Sequence, residues 1–318
     1  MEALVTGDRT NPMAHVHKPV DDGALDGRLL LSLGLNVVIT IAEVVGGLMA
    51  GSLALLSDAA HNLSDVAALG LALVARRLGR RPPTMRHTYG LKRAEVIAAL
   101  VNAVTLVAVS ALIARAAVVR LQHPVPVERG LMLAVALVAL GANLGSVLLL
   151  RRHDEHDVNI RSAFLHLAQD ALASLAVVIA ALLSGTSIGV YLDPAAALLV
   201  VAVVLRGTLS LLWETVRTLL EATPEGLDLD ALVASVADQF PPARIHHVHL
   251  WEIAPGQRLL TAHVDLGQEM DGRGIEVLFG GIKTMLNREW GVNHTTLEPE
   301  VLGCGNEDTL GRWDDFHC

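Results

Sequence analysis

Six long apolar blocks constrain this 318-residue chain more than any other feature. A helix needs roughly 20 mainly apolar residues to cross the ~30 Å hydrocarbon core of a membrane, where every backbone polar group must be satisfied within the protein. The blocks are Leu29–Ala50, Leu53–Val74, Ala94–Val119, Leu131–Leu150, Val158–Leu183 and Pro194–Leu212. They predict a multi-pass integral membrane protein with an all-α six-helix transmembrane domain embedded in the lipid bilayer.

The rest of the chain has the composition of a soluble domain, with charged and apolar residues mixed after Glu221. We therefore expect a cytoplasmic N-terminal tail over residues 1–27, the six-helix domain over 28–220, a cytoplasmic domain over 221–300 and a C-terminal tail over 301–318. The two cysteines, Cys304 and Cys318, fall in that last tail, so no disulfide framework is predicted. The net charge of −9 argues against nucleic acid as a partner.

Basic residues in the connections predict the orientation. Residues 76–93 contain no acid and seven basic residues, which are Arg76, Arg77, Arg80, Arg81, Arg86, Lys92 and Arg93. Cytoplasmic loops carry such an excess, so this connection is expected inside, as is the later one with Arg151, Arg152 and Arg161. Both termini are then cytoplasmic, and we expect the chain in a bacterial inner membrane.

Two apolar blocks contain the same polar arrangement, a histidine and an aspartate four positions apart. The pairs are His61 with Asp65 and His166 with Asp170. Each pair occupies one helical face, and ionisable groups at bilayer depth usually mark a functional site. Two imidazoles and two carboxylates suit a tetrahedral divalent metal such as zinc. We predict that the four side chains bind one divalent transition-metal ion; hydrogen bonding between helices is the alternative.

Charge balance suggests how such a site would work. With both imidazoles neutral, the two carboxylates balance one divalent cation in a low-dielectric surround. Without the metal, the same groups should take up protons, which metal binding would release again. The hypothesis is therefore an exchange of protons for metal.

Three stretches resemble the signature sequences of the cation diffusion facilitator family. They are residues 52–65 (SLALLSDAAHNLSD), 87–95 (HTYGLKRAE) and 166–170 (HLAQD), and the resemblance extends over about residues 29–300. It implies a homodimeric zinc/proton antiporter that exports zinc from the cytoplasm and also takes cadmium or cobalt. It further implies a cytoplasmic ferredoxin-like domain and a transport site made of His61, Asp65, His166 and Asp170.

The resemblance carries two further implications. Arg93 and Glu221 match positions where members form a charge interlock between the membrane and cytoplasmic parts, so a structural role is expected for them. Some members bind a second zinc ion in the loop after the second span. Here His87 is present, but Thr84 and Leu91 occupy the neighbouring ligand positions, so that second site is expected to be absent.

The cytoplasmic domain shows helix and strand periodicities in the order αββαβ, which is typical of a small α+β sandwich. The predicted elements are Asp228–Phe240, His246–Ile253, Arg258–Leu266, Gly274–Trp290 and His294–Pro299. Strand alternation places His247 and His263 away from the apolar face. Surface histidines on strands are often only solvated, and that interpretation stays open. The resemblance implies a cytoplasmic zinc site, regulatory in role, at His247, His263, Glu276 and His294.

Two other classes of protein fit the sequence less well. A membrane-embedded metalloenzyme would need an open metal position and a general base, typically within a His-Glu-x-x-His motif, and the sequence contains none. It also lacks a Gly-x-Ser-x-Gly elbow, so we do not expect an enzyme. A membrane-anchored metal sensor would account for the cytoplasmic histidines but would leave the two intramembrane pairs unexplained.

Overall fold

The computed structural model describes residues 22–150, 158–241, 243–301 and 309–310. Several predictions fall outside these residues. They concern most of the N-terminal tail, the loop residues Arg151 and Arg152, and the tail cysteines Cys304 and Cys318.

Six helices precede a small sheet domain within the described residues. They are α1 (Asp22–Ala50), α2 (Leu53–Gly79), α3 (Ala94–Gln122), α4 (Arg129–Leu150), α5 (Val158–Leu183) and α6 (Gly189–Leu219). Each contains most or all of one predicted apolar block. The largest differences are at the ends, where α1, α2 and α6 extend beyond the apolar residues because helical hydrogen bonding continues into polar sequence.

Within the part of the chain that the structure describes, four helices are long and apolar enough to cross a membrane by length and composition. These segments are Ala94–Gln122, Arg129–Leu148, Phe164–Leu183 and Gly189–Leu219. In α1 a shorter apolar segment, Asn36–Ala50, is found among the described residues. α2 is not among the four, and it carries the polar side chains of the site described below. The transmembrane-like helical region is therefore established, and the count of six spans stays a prediction.

The helices pack as neighbours in a bundle, with α3 against α6, α4 against α5, and α1 against both α2 and α4. Small residues permit the close approach of α1 and α4. A Cβ atom added to Gly46 would lie 2.6 Å from Val135 Cγ2, which is closer than real Cβ contacts come. The largest buried hydrophobic cluster of the bundle, near the turn between α1 and α2, includes Leu55, Met132 and Val177.

A buried aspartate holds the start of α2. The first N–H groups of any helix lack partners within the helix. Here Asp193 of α6, 1% exposed, accepts from Leu53 N at 2.9 Å, Ala54 N at 3.2 Å and Ser52 Oγ at 2.5 Å. Arg120 of α3 pairs with the same carboxylate at 3.2 Å. Asp193 thus joins three helices at one end of the bundle.

The sheet domain after α6 contains α7 (Leu229–Gln239), β1 (Arg244–Ala254), β2 (Gln257–Asp265), α8 (Gly272–Trp290) and β3 (Val292–Glu300). The sheet order is β1-β2-β3, with β1 and β2 antiparallel and β2 and β3 parallel. α8 supplies the crossover that parallel strands require. Its helix begins after the N-cap Asp271 and ends at Gly291, whose φ of 66° is the left-handed conformation that glycine favours. A small sheet domain of the predicted element order is present.

The end of α6 has an unusual residue at its cap. Ala222 N donates to Arg217 O at 3.0 Å and Glu221 N to Thr218 O at 3.3 Å, the paired bonds of a Schellman cap. The cap position with positive φ is normally glycine, but here Glu221 adopts a φ of 60°. Its carboxylate lies 2.5 Å from Arg93 Nη2 at the start of α3. Glu221 therefore adopts an unfavourable left-handed backbone conformation at the helix cap, and its side chain forms the ion pair with Arg93.

Candidate metal centre

The two predicted pairs meet between α2 and α5 in a ring of alternating histidine and aspartate. His61 Nε2 lies 3.2 Å from Asp170 Oδ1 and 3.9 Å from Asp65 Oδ2. His166 Nε2 lies 3.2 Å from Asp65 Oδ2 and 3.8 Å from Asp170 Oδ2. These four residues are called the metal centre below.

The size of the ring suits a tetrahedral ion. Ligand atoms ~2.0–2.1 Å from zinc at tetrahedral corners lie about 3.3–3.4 Å apart. The four nitrogen-to-oxygen separations of the metal centre, from 3.2 to 3.9 Å, bracket that value. The two imidazole rings stand nearly perpendicular, with centroids 5.8 Å apart. Ligand atoms of His61, His166 and Asp170 all lie within 4.8 Å of one another, and Asp65 lies beside them in contact with both histidines.

The metal centre is open on one side. The side chains of Asp170 and His61 are 8% and 12% exposed, whereas those of Asp65 and His166 are 32% and 47% exposed. Exposure therefore increases toward the end of α2 and the start of α5. That end carries the basic connection between α2 and α3, which is predicted to be cytoplasmic. An ion could reach the metal centre from that side without passing the buried helix ends.

One buried atom of the metal centre, His61 Nδ1, has no hydrogen-bond partner within the described part of the chain. An unpaired buried polar atom is costly, and such atoms often belong to sites that bind something. Asp65 Oδ2 lies between both imidazoles, 3.2 Å from His166 Nε2 and 3.9 Å from His61 Nε2, as a metal ligand would.

A second group of histidines lies in the sheet domain. His246, His247 and His263, called the histidine cluster below, have ring centroids 4.9 to 5.6 Å apart. Glu300, at the end of β3, lies 2.6 Å from His263 Nδ1 and 3.2 Å from His246 Nε2. Three imidazoles and a carboxylate are a donor set that zinc accepts.

The sequence prediction missed His246 and Glu300. Regular alternation would place His246 on the face opposite His247, but the β1–β2 register shifts between His246 and His249. His247 has a φ of 46°, and both His246 and His247 are buried. A β-bulge of this kind lets two successive side chains approach one partner. The signal available in the sequence was the His246-His247 dipeptide on one strand, with a third histidine, His263, on the neighbouring strand.

Two residues of the predicted cytoplasmic site lie outside the histidine cluster. Glu276 is exposed on α8. His294 is exposed on β3, pairs in register with Leu259, and has its ring 6.2 Å from that of Tyr89 in the connection between α2 and α3. His87 in that same connection is exposed, and its described hydrogen bonds are backbone bonds with Thr84 and Gly90 together with one from its N–H to the Thr84 hydroxyl.

Comparison with known proteins identifies the class. Residues 29–220 match the cation efflux transmembrane domain. The zinc transporter ZitB of Shigella flexneri is 39% identical over 304 residues, which cover 93% of this chain and 95% of that protein. The metal cation efflux system protein CzcD of Cupriavidus metallidurans is 33% identical over 298 residues, 94% of each chain. A cadmium, cobalt and zinc/H(+)-K(+) antiporter of Bacillus velezensis is 30% identical over 300 residues, 94% of this chain and 95% of that protein.

The chain belongs to the cation efflux family. The resemblance to cation diffusion facilitators, drawn from three short stretches, is confirmed, and so is the prediction of a cation exporter. The metalloenzyme alternative is set aside, because the family consists of transporters and not of enzymes.

Proposed function

We propose that this protein exports zinc from the cytoplasm in exchange for protons, with His61, Asp65, His166 and Asp170 as the transport site. The alternating ring of two imidazoles and two carboxylates carries the proposal. Its donor types and spacing suit a borderline divalent cation better than the hard cations calcium or magnesium, which prefer oxygen alone. Cadmium and cobalt are secondary substrates, a choice supported by the name of the Bacillus relative.

Charge compensation supports proton exchange. Asp65 and Asp170 together balance one zinc ion, and none of the described salt bridges brings a lysine or arginine to the metal centre. Once zinc has left, protons on the imidazoles or carboxylates are the available compensation. The site thus alternates between a metal-bound and a protonated form, and a pH gradient can drive the metal outward.

The proposed architecture is six spans with both termini cytoplasmic, followed by a ferredoxin-like domain. The domain limits are those predicted, with residues 28–220 in the membrane and residues 221–300 in the cytoplasm. The protein works as a homodimer in a bacterial inner membrane. The basic connection before α3, the four apolar helices and the αββαβ element order support these assignments.

Reconstitution tests the proposed function. Liposomes containing the protein and a zinc-sensitive dye inside should show zinc uptake through inverted molecules when the lumen is acidic relative to the outside. We expect the rate to rise with the imposed pH gradient and to be highest for zinc among zinc, cadmium, cobalt and magnesium. Zinc flux that ignores the pH gradient would contradict the exchange, and flux of magnesium at the same rate would contradict the assigned ligand chemistry.

The histidine cluster is proposed as a cytoplasmic zinc site that regulates transport. His247 and His263 were predicted for this role, and the burial of His246 beside them supports it. Glu300 completes a four-donor set through its contacts with two of the rings. Glu276 and His294 would bind the same ion as the histidine cluster only after a rearrangement of the domain, or if a second subunit supplied them.

A zinc titration of the full-length chain tests the regulatory site. In a chain carrying Asp65→Ala, zinc should still bind at the histidine cluster. Adding His263→Ala should weaken the remaining zinc binding by about 100-fold or more. Replacing a residue that only hydrogen-bonds to a metal ligand already weakens metal binding by about 10- to 100-fold, and a direct ligand should matter more. His249→Ala is the matched control, since His249 is exposed on the same strand. Equal losses from both histidine substitutions would refute the assignment.

A further inference from the structure

Two acids that the metal centre does not use are buried beside it. Glu43 of α1 and Asp58 of α2 are 0% and 1% exposed. Each accepts one described hydrogen bond from a neutral donor. Asn62 Nδ2 donates to Glu43 Oε2 at 2.8 Å, and Ser174 Oγ donates to Asp58 Oδ2 at 3.0 Å. Asn143 of α4 donates in turn to Ser174 Oγ at 3.0 Å. Glu43 and Asp58, called the acid pair below, thus belong to a hydrogen-bonded group that joins four helices, α1, α2, α4 and α5.

The acid pair has no counter-charge, and its two carboxyl groups contact each other. Glu43 Oε1 and Asp58 Oδ1 receive no hydrogen bond from any other described group, and none of the described salt bridges includes either residue. A side-chain hydrogen bond links Glu43 to Asp58. An ionised carboxylate can only accept hydrogen bonds, so two facing carboxylates need a proton to join them. Two like charges buried together cannot both persist.

The acid pair lies on the closed side of the metal centre. Asp58 is one helical turn before His61 in α2, and Ser174 is one turn after Asp170 in α5. The titratable groups that act on the pair are therefore His61 and Asp170. α4 has no titratable residue after Arg129, and the Asp193 carboxylate of α6 is engaged at the start of α2.

The protonation of the acid pair should depend on whether a metal ion occupies the metal centre. The metal centre and the acid pair together hold four carboxyl groups, Glu43, Asp58, Asp65 and Asp170, in a setting that strongly disfavours net charge. A bound divalent ion compensates the charge of two. The other two carboxyl groups must keep at least one proton, and they should hold more when the metal is absent, because the compensating charge has then been lost.

We infer that Glu43 and Asp58 form a second proton-binding site of the exchanger, separate from the metal ligands. Arrival of the divalent ion at the metal centre drives a proton from the acid pair to water, and departure of the ion lets the pair bind a proton again. The inference rests on the proposed exchange, and it adds a place for an exchanged proton that does not compete with zinc for a ligand atom.

Proton release on zinc binding tests the inference. Zinc is added to the purified full-length protein in weakly buffered detergent solution, and a pH indicator counts the protons released per zinc bound. Glu43→Gln keeps an oxygen for the Asn62 hydrogen bond but has no ionisable proton. We expect it to release about one proton fewer than the unsubstituted chain, with zinc affinity changed by less than about 10-fold. Glu214→Gln, an exposed residue of α6, is the matched control and should release the normal number.

Further measurements separate the outcomes. Asp58→Asn should show the same deficit, and it decides the question if Glu43→Gln fails to fold. In the unsubstituted chain, the infrared band of a protonated carboxyl group should weaken when zinc binds. A normal proton count in both variants, or an unchanged infrared band, would reduce the acid pair to a hydrogen-bonded contact between helices. Absence of proton release from the unsubstituted chain would instead refute the proposed exchange itself.

Discussion

Replacing Asp170 by asparagine is expected to reduce zinc transport by about 100-fold or more, the upper range seen when a metal site loses a single supporting group. Asp170 places one oxygen 3.2 Å from His61 Nε2 and the other 3.8 Å from His166 Nε2. The amide of asparagine is a weaker ligand, and it leaves zinc with one carboxylate and an uncompensated positive charge in a buried site. The measurement is zinc flux into dye-loaded proteoliposomes under a pH gradient.

Asp238→Asn is the control for that experiment, because Asp238 is exposed on α7 and its substitution has the same chemistry. The control chain should transport at the normal rate. Retention of more than about a tenth of the flux by Asp170→Asn would mean that Asp170 is not a direct ligand, since supporting residues alone account for losses of that order. The metal centre would then have to be assigned to other side chains.

The second large effect is on stability, at Asp193. Asp193→Ala should lower the free energy of unfolding by about 3–5 kcal/mol, the cost of breaking a buried ion pair by removing one partner. The substitution leaves the N–H groups of Leu53 and Ala54 without their acceptor and Arg120 without its counter-charge. Thermal unfolding in detergent micelles, followed by light scattering or intrinsic fluorescence, measures the change.

Asp238→Ala provides the matched comparison for the stability measurement and should change unfolding by less than ~0.5 kcal/mol, as surface substitutions usually do. Asp193→Asn should fall between the two, because its remaining oxygen can still accept a hydrogen bond while the charge is lost. A melting curve for Asp193→Ala that matches the unsubstituted chain would show that water or other groups satisfy the start of α2.

The two histidine–aspartate pairs could be recognised from sequence because helical geometry is local and regular, and their role as a metal site stays a prediction. Residues four positions apart share a face whatever the fold, so His61 with Asp65 and His166 with Asp170 could be paired from their spacing alone. The positions of the helix ends were harder to predict. For example, α6 continues past its apolar block to Leu219. Hydropathy shows where a helix is apolar and not where its hydrogen bonding stops.

Only half of the histidine cluster could be predicted from sequence, because the cluster depends on an irregularity in the sheet. Alternation along β1 selected His247 and alternation along β2 selected His263, whereas regular alternation places His246 on the opposite face from His247. The bulge that brings His246 into the cluster is set by the pairing of β1 with β2, which the local sequence does not specify. The acid pair was missed for a related reason. Glu43 and Asp58 are 15 positions apart, and only the packing of α1 on α2 makes them neighbours.

Glu221 has a consequence for how firmly the two halves of the molecule are coupled. Its ion pair with Arg93 is solvent-accessible, with side chains 57% and 36% exposed, and such contacts contribute only about 0–1 kcal/mol. A left-handed backbone at a residue other than glycine costs an energy of similar size. The stabilisation from the ion pair and the cost of the left-handed backbone are therefore of similar size, so Glu221 adds little net stability to the junction between α6 and the sheet domain.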